Sequence, residues 1–193
     1  MTEAIYKLHA NEVGHPYLIS GALPQGYTNH YFNGTALPES WIPQEVQIVR
    51  PKKKLPDIIA WKANLPLLSE RAVEIFKSVA PSCAEYRLFT HIRDRPYFVL
   101  NVLAQVDIFD QGRSEFTLTA DGRIRTVQTY AFTTMDVASP IFKLAGFLDG
   151  PNFVTREFAQ AVVDAKLLGF EFRDPAVNET PLLFAGKNVN VFP

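Results

Sequence analysis

The chain has 193 residues, and 47% of them are hydrophobic, including 15 Phe and 7 Tyr. This composition excludes an intrinsically disordered chain, and a domain of this length buries roughly 70% of the surface that its unfolded form exposes. The 19 Lys and Arg residues are balanced by 20 Asp and Glu residues. Because no broad positive field results, nucleic acid is a poor candidate for the partner.

Cysteine usage and hydropathy predict the compartment. Cys83 is the only cysteine, so no intrachain disulfide can form, which is typical of a reducing compartment. The first residues, MTEAIYKLHANEVGHPY, lack a basic segment followed by an apolar run. No stretch reaches the roughly 18 apolar residues that a membrane span needs. We therefore expect a cytoplasmic protein without a leader and without a membrane partner.

The first 55 residues are rich in turn-forming and aromatic residues. Up to about residue 40, glycine and proline are interleaved with tyrosine and phenylalanine, which favours short strands or irregular coil over a long helix. The sequence EVQIVR at 45–50 alternates polar and apolar side chains and predicts a strand. A short apolar run at 58–61 predicts another, with PKKK at 51–54 as the loop between them.

The middle of the chain predicts one helix and two strands. Ser69 can cap a helix over about 69–79, where apolar residues recur at helical spacing before Pro81. Residues 85–93 alternate with a period of two and predict a half-exposed strand. The nearly continuous apolar run at 97–106 predicts a strand covered on both faces, at the centre of the sheet.

A hairpin is predicted in the following segment. Asp121 and Gly122 separate alternating residues at 114–119 and 123–132. An Asp-Gly pair between two such segments is a strong hairpin signal, because both residues tolerate a positive φ. The sheet is therefore expected to be at least partly antiparallel.

The last part of the chain predicts a second helix among short strands. Thr155 can cap a helix whose apolar stripe reaches Leu168, and Gly169 follows its C-terminal end. Short strands are predicted for the apolar run IFKL at 141–144, for GFEF at 169–172 and for the tail PLLFAGKNVNVF.

The order of these elements predicts the fold class. Strands predominate and the helices occur singly, rather than in alternating βαβ units, which favours an α+β fold with a mainly antiparallel sheet and two principal helices. No internal repeat, low-complexity tract or break in composition indicates a second domain. We predict a single domain over residues 1–193.

Residues that could support catalysis or metal binding are scattered along the sequence. Neither an i, i+4 pair nor a second cysteine suggests a zinc site among the four histidines, which are His9, His15, His30 and His91. Cys83 could be a nucleophile, although a lone cysteine is more often a small buried residue. The sequence lacks the common phosphate-binding glycine motifs and the G-x-S-x-G of hydrolases. We predict no catalytic residue, no metal and no cofactor.

Three further features allow a functional interpretation beside a structural one. A contact with an acidic partner or a solvated loop would explain the basic run Arg50, Lys52, Lys53 and Lys54. Cation binding, acid–base catalysis, imitation of an anion or simple solvation would explain the acids Asp107, Asp110 and Glu115. Trp61, in PDIIAW, could contact a partner, although core packing is its default.

Five segments then occur in a characteristic order, namely PDIIAW, LLSERAVEIF, YFVLNVLAQVDIFDQGRSEF, IFKLAG and FVTREFAQAVVDAKLLGFEF. Together they resemble the large bacterial immunity-protein family of polymorphic toxin systems, first catalogued as a domain of unknown function with a myxobacterial member. The resemblance covers about residues 56–172. It depends on the Pro-Asp-x-x-x-Trp element, the apolar strand that runs into Asp and Ser-Glu-Phe, and the closing Leu-x-Gly-Phe-x-Phe. Residues 1–55 form a divergent N-terminal part.

This resemblance implies a cytoplasmic protein, encoded beside a toxin effector, that binds the toxin and blocks it in the producing cell or its kin. The matching positions are mostly apolar, so the resemblance assigns no partner-binding residue and no oligomeric state. Two other hypotheses remain. One is a small-molecule or peptide-binding module, which needs an apolar pocket with a few converging polar groups. The other is an unrecognised hydrolase or transferase that uses Cys83 or the acids at 107, 110 and 115.

Overall fold

A computed structural model of the chain describes residues 4–11, 17–20, 32, 34–49, 54–62, 65–177 and 181–184. For the strand residues 17–20, 47–49, 62 and 181–184 it describes the backbone alone. The helices are α1 Glu70–Val79 and α2 Arg156–Asp164. The strands are β1 Ile5–Ala10, β2 Tyr17–Ser20, β3 Val46–Val49, β4 Ile58–Lys62, β5 Leu65–Ser69, β6 Ala84–Ile92, β7 Arg95–Val102, β8 Gln105–Val106, β9 Glu115–Leu118, β10 Ile124–Thr129, β11 Ile141–Leu144, β12 Asn152–Thr155, β13 Phe170–Arg173 and β14 Pro181–Phe184.

The larger sheet has six strands in the order β14-β13-β1-β12-β11-β8. All its neighbouring strands pair antiparallel except β11 and β8, which pair in parallel. Because side chains alternate along a strand, β1 directs Tyr6 and Leu8 to one face and Ile5 and Lys7 to the other. The first face packs against the two helices, and Ile5 packs with Phe153 and the segment from Ile108 to Phe147.

The second sheet has four antiparallel strands in the order β4-β5-β7-β6. Strand β7 lies between β5 and β6 and is covered on both faces, as predicted for the apolar run that begins at Tyr97. The run does not form one strand to residue 106, however. The amides of Leu103 and Ala104 donate to the carbonyl oxygen of Cys83 at 2.8 and 3.1 Å, and β8 joins the six-stranded sheet instead.

The prediction of a half-exposed strand at 85–93 is wrong near its centre. Phe89 is fully buried, and a register shift between Leu88 and Thr90 interrupts the alternation of side chains. A segment containing Phe32 and Trp41 covers this face, and the Trp41 indole N–H donates to the Leu88 carbonyl at 2.8 Å. Contacts with a segment distant in sequence therefore bury Phe89, which the alternation of side chains alone places on the exposed side of the strand.

The main core lies where the two helices meet the two sheets. The rings of Phe76 in α1 and Phe158 in α2 meet edge to face at 4.6 Å between centroids. The six-stranded sheet contributes Tyr6, Leu8, Ile141, Val154, Phe170 and Phe172, and the four-stranded sheet contributes Ile58, Leu68, Leu100 and Val102. This shared core makes the described part of the chain an α+β arrangement with two helices, as predicted.

The predicted starts of both helices are confirmed. The Ser69 hydroxyl accepts a hydrogen bond from the Ala72 amide at 3.2 Å, and the Thr155 side chain accepts one from the Phe158 amide. The predicted end of the second helix at Leu168 is wrong, because α2 ends at Asp164. Lys166 takes a left-handed conformation with φ of 53°, which turns the chain before the apolar stripe is complete.

Several strands in the structure are not predicted by the sequence patterns. Strands β1, β5 and β12 were not predicted individually, and each is short and buried along most of its length. A short apolar run without alternation does not distinguish a strand from other buried structure. The predicted hairpin is confirmed as β9 and β10, and the strands at 46–49, 58–62, 141–144 and 170–173 are confirmed as well. In the predicted tail strand, residues 181–184 are confirmed, and residues 185–192 lie outside the described residues. Neither described helix has the length and apolar character to cross a membrane.

Candidate functional site

Cys83 has a structural role. It is 9% exposed and packs in the main core beside Ala80 and Ala84. Its carbonyl oxygen also accepts the two amide hydrogen bonds that redirect the chain after β7. A thiol packed among apolar side chains is chemically inert compared with an exposed, electropositive one. The structure therefore favours the packing interpretation of Cys83 over the nucleophilic one.

The three acids after the central strand do not converge on a common site. The Asp110 carboxylate accepts from the Arg113 amide at 3.1 Å and from Arg113 Nε at 2.5 Å, which closes a turn. The hydrogen bond from the Arg113 side chain lowers the pKa of Asp110. Asp107 and Glu115 are exposed. Within the described ranges, no three His, Cys, Asp or Glu residues are arranged to hold a metal ion.

The histidines and the basic run are only partly described. His15, His30, Arg50, Lys52 and Lys53 lie outside the described residues, whereas Lys54 and His91 are exposed. His9 lies on β1 opposite Glu171 of β13, and its Nε2 atom is buried without a hydrogen-bond partner among the residues that the structure describes. Burial, followed by the positive charges of Arg173 and Lys7, lowers the pKa of His9 to about 4. His9 is therefore neutral near pH 7.

Trp61 packs in the core rather than on the surface. Its side chain is 9% exposed, and its ring centroid lies 4.3 Å from that of Phe89. It belongs to the second core cluster, between the four-stranded sheet and the segment that contains Phe32 and Leu37. The structure therefore supports core packing, the default interpretation of Trp61 in the PDIIAW element.

The start of this element organises a junction between distant parts of the chain. The Asp57 carboxylate accepts hydrogen bonds from the Ser69 hydroxyl at 2.7 Å and from the Leu168 amide at 2.8 Å. The Asp57 amide donates to the Leu168 carbonyl at 2.8 Å, and the Ser69 amide donates to the Asp57 carbonyl at 2.9 Å. The Tyr97 hydroxyl donates to the Pro56 carbonyl at 2.6 Å. One aspartate thus holds the cap of α1, the end of the α2 segment and β4 together.

Gly169 completes this junction. It has φ of 89°, and a side chain at this position would place its Cβ 2.8 Å from the Pro56 Cβ and 3.1 Å from the Ile58 carbonyl oxygen. Both the conformation and the space therefore require glycine. The elements Pro-Asp-x-x-x-Trp and Leu-x-Gly-Phe-x-Phe meet here, so their residues specify how the fold closes. We call Pro56, Asp57, Ser69, Leu168 and Gly169 the Asp57 junction.

A cleft with a volume of about 550 Å³ opens beside the start of β1 and the start of α2. Its other walls come from the root of the hairpin, from the segment after β10 and from the chain after β13. Its lining is mostly apolar and includes Tyr6, Tyr130, Phe132, Met135 and Pro175, with three charged residues, Arg113, Arg156 and Asp174.

The charges around the cleft are largely tied to the protein itself. Arg113 pairs with Asp110 and also donates to the Phe132 carbonyl oxygen. Burial raises the pKa of Tyr6, whereas the charge and hydrogen bond of Arg156 lower it and the charge of Asp174 raises it. Met135 is 39% exposed at the rim. The cleft can therefore receive an apolar or aromatic group with a polar end, the usual chemistry of a binding pocket.

The hairpin beside the cleft has one apolar and one polar face. Across its two strands, Phe116 faces Val127 and Leu118 faces Ile124. The opposite face carries the pairs Thr117 with Thr126 and Glu115 with Thr129. Among the described residues, β9 and β10 pair only with each other and not with either larger sheet. We call Leu118, Ile124 and Arg125 the hairpin tip.

The cleft and the hairpin tip were not identified from the sequence. The cleft collects residues from both ends of the chain, such as Tyr6, Arg113 and Asp174, so no local spacing could reveal it. The hairpin itself was predicted, and alternation places Phe116 and Leu118 on one side of β9. Ile124 and Val127 are three residues apart in β10, and only a register shift brings them opposite Leu118 and Phe116. The sequence does not reveal that the core covers only part of the apolar side of the hairpin.

Residues 20–177 match the model of a protein family described as "Immunity protein family (Imm11)". The match begins before and ends after the segment of about 56–172 whose motifs carry the sequence resemblance. It includes the junction around Asp57, the hairpin and most of the cleft. No protein with a curated description matches the chain.

Proposed function

The chain belongs to the Imm11 immunity protein family, and on this premise we propose that it binds a cognate bacterial toxin and neutralises it by stoichiometric protein–protein interaction. Immunity proteins neutralise toxins in general, and the family match over residues 20–177 is the observation that carries the proposal. The toxin would be the product of a neighbouring gene, and the complex would form in the cytoplasm of the producing cell or its kin.

The roles of the reactive side chains support binding rather than catalysis. Cys83 is packed in the core, and Asp110 is paired with Arg113 in a turn. Core packing explains the presence of Cys83, and stabilisation of the turn explains that of Asp110, so neither residue needs a catalytic role. We therefore propose that the chain is not an enzyme and acts by occluding or distorting the toxin's active site.

Co-expression with the product of the neighbouring gene tests this function. Rescue of host growth together with co-purification of both chains in equal amounts is the expected result. A toxin from an unrelated system is the control and should not be rescued. A toxic neighbour that is neither bound nor neutralised would contradict the proposal.

A matched set of variants separates binding from catalysis. Cys83→Ala, Asp107→Ala and Asp110→Ala should each retain rescue, because none of these side chains would take part in a reaction. Loss of rescue by a variant that still folds and still binds the toxin would favour the enzymatic alternative.

The cleft favours a second candidate function, a binding module for a small molecule or a peptide. Its volume of about 550 Å³ and its apolar lining with a few polar groups are typical of ligand sites. Ala176 lies exposed at its rim, so Ala176→Trp should fill the cleft without disturbing the core. If the variant still neutralises the toxin, the cleft is not needed for neutralisation. Thermal-shift measurements with candidate ligands then test separately whether the cleft binds a small molecule or a peptide.

A further inference from the structure

Strand β6 lies at an edge of the four-stranded sheet and is the longest strand that the structure describes. It has nine residues, and among the described strands it pairs only with β7. The pairing is regular from Ala84 to Leu88, and a register shift follows between Leu88 and Thr90. The outward backbone groups of a regular edge strand can pair with a strand of another chain. This edge therefore needs a cover if the chain is to stay separate from other chains.

The segment 34–44, which we call the edge strap, provides this cover. The Trp41 indole N–H donates to the Leu88 carbonyl at 2.8 Å. The Gln44 amide donates to the Phe89 carbonyl at 2.5 Å. Both acceptors lie at the middle of β6. The edge strap thus occupies backbone groups that a strand of another chain would need.

The edge strap is held less firmly than the strand that it covers. It contains no helix or strand, and Leu37 is its one buried residue, whereas Ile42 is 64% exposed. The Leu37 amide also donates to the Glu85 carboxylate at 2.7 Å. Strand β6, in contrast, shares its backbone hydrogen bonds with β7 and buries Phe89 completely. Segments with few buried contacts open locally at a lower free-energy cost than core strands, so the edge strap can leave β6 without unfolding it.

The charges at the start of β6 determine which partner fits the uncovered edge. Glu85 and Arg87 lie on the same face of the strand, because side chains alternate, and they form an ion pair at 2.5 Å. If two copies of β6 pair antiparallel about a twofold axis at Tyr86, Glu85 of each copy lies opposite Arg87 of the other. Opposite charges across two strands stabilise the pairing, and a twofold axis makes both contacts at once. The edge is therefore complementary to itself.

We propose that the edge strap is a built-in cover that prevents the chain from associating with a second copy of itself through β6. When the edge strap is displaced, residues 84–88 of two copies pair as antiparallel strands about Tyr86, and the two four-stranded sheets become continuous. Because this association involves only copies of this chain, the proposed function does not depend on it.

Loosening the edge strap tests this cover. Trp41→Ala removes the indole donor, and Gln44→Pro removes the amide donor because proline has no N–H. Light scattering after size-exclusion chromatography should give the full-length double variant twice the mass of the 21.7 kDa chain. Gln44→Ala keeps the backbone amide and is the matched control. It should keep the mass of a single chain, as should the unsubstituted protein.

The charge pattern gives a second arm of the same experiment. Arg87→Glu, added to the double variant, places carboxylates opposite one another in both cross-strand pairs and should return the mass to that of a single chain. Arg125→Glu makes the same change of charge at an exposed position of the hairpin. Added to the double variant instead, it should leave the dimer intact.

Circular dichroism verifies that each variant is folded. If the double variant does not fold, Gln44→Pro alone is compared with Gln44→Ala in the same way, because it keeps the aromatic side chain of the edge strap. A folded variant that retains the mass of a single chain at every concentration would overturn the proposal. A dimer that tolerates Arg87→Glu as well as Arg125→Glu would also overturn it, because the association would then use another surface.

Discussion

The Asp57 junction and the β9–β10 hairpin both contain aspartates with hydrogen-bonded partners, but the junction lies among buried side chains and the hairpin lies in solvent. At the junction, a carboxylate, a hydroxyl and backbone amides satisfy one another among buried side chains. At the hairpin, Asp110, Asp121 and their arginine partners face solvent. The sequence elements that characterise the chain meet at the junction, where they fix how the chain closes. The hairpin tip instead leaves apolar surface available. Residues that define a fold and residues suited to binding are therefore found in different places.

Truncating an aromatic ring should show the largest difference between the two regions. Phe158 is fully buried against Phe76, so Phe158→Ala should lower the free energy of unfolding by about 3–5 kcal/mol. Phe116 is only partly buried, so Phe116→Ala should cost about 1–2 kcal/mol, because less apolar surface is lost from the core. Urea unfolding followed by circular dichroism measures both. Equal losses would contradict the description of the hairpin as a weakly held element.

Removing the central carboxylate should have the next largest effect. Asp57→Ala leaves the Leu168 amide and the Ser69 hydroxyl without their acceptor, which should cost about 2–4 kcal/mol. Asp110→Ala breaks an ion pair at the solvent-exposed hairpin root and should cost clearly less. The same urea titrations compare them. A loss at Asp110 as large as that at Asp57 would mean that burial does not separate the two regions.

Two glycines with positive φ provide a matched pair. Gly169→Ala adds a strained backbone and a contact of 2.8 Å with Pro56, and should cost about 2–3 kcal/mol. Gly122, at the hairpin turn, has φ of 80°, and no atom of the described part of the chain lies within 4 Å of the added Cβ. Gly122→Ala should therefore cost only about 1 kcal/mol, from the backbone alone. Thermal unfolding resolves the difference, and its absence would contradict the steric requirement at Gly169.

The stability of the larger sheet should also depend on pH through His9. Its pKa is about 4 in the folded chain and near 6.5 in a model peptide, so the unfolded chain binds the proton more readily. Stability should therefore fall as the pH is lowered from about 6.5 towards 4, by roughly 1–2 kcal/mol between pH 7 and pH 5. The other charged side chains on the face of β1 and β13 that carries His9 are Lys7, Arg173 and Glu171, as far as the described residues show.

A His9→Leu variant isolates this contribution. It removes the titrating ring and should show a flatter decline of stability over the same pH range, measured by urea unfolding at several pH values. Parallel declines for the two proteins would assign the pH dependence to the neighbouring charged groups instead of His9.

Much of the fold follows from local sequence signals. Ser69 and Thr155 begin helices because their side chains can accept first-turn amide hydrogen bonds, and Asp121 and Gly122 turn a hairpin because both tolerate unusual backbone angles. The pairings that assemble the larger sheet are different in kind. Strand β1 pairs with β12 and β13 from the other end of the chain, and no local pattern encodes such a partner.

The same limit applies to the candidate site. Cys83, Trp61 and the acids were recognisable as candidates by residue type, but whether each is buried depends on tertiary contacts. The exposure of Leu118 is likewise set by where the core ends, since Phe116, two residues earlier on the same face of β9, is partly buried. Local patterns thus predict elements, and packing decides which of their residues remain available for a partner.

The most direct test is hydrogen–deuterium exchange of the full chain with and without the toxin domain encoded by the neighbouring gene. We predict complex formation and slower exchange over part of the chain's surface, with little change around Asp57 and Leu168, whose amides are already hydrogen-bonded in the free chain. Unchanged exchange throughout the chain, at toxin concentrations that should saturate it, would contradict toxin binding.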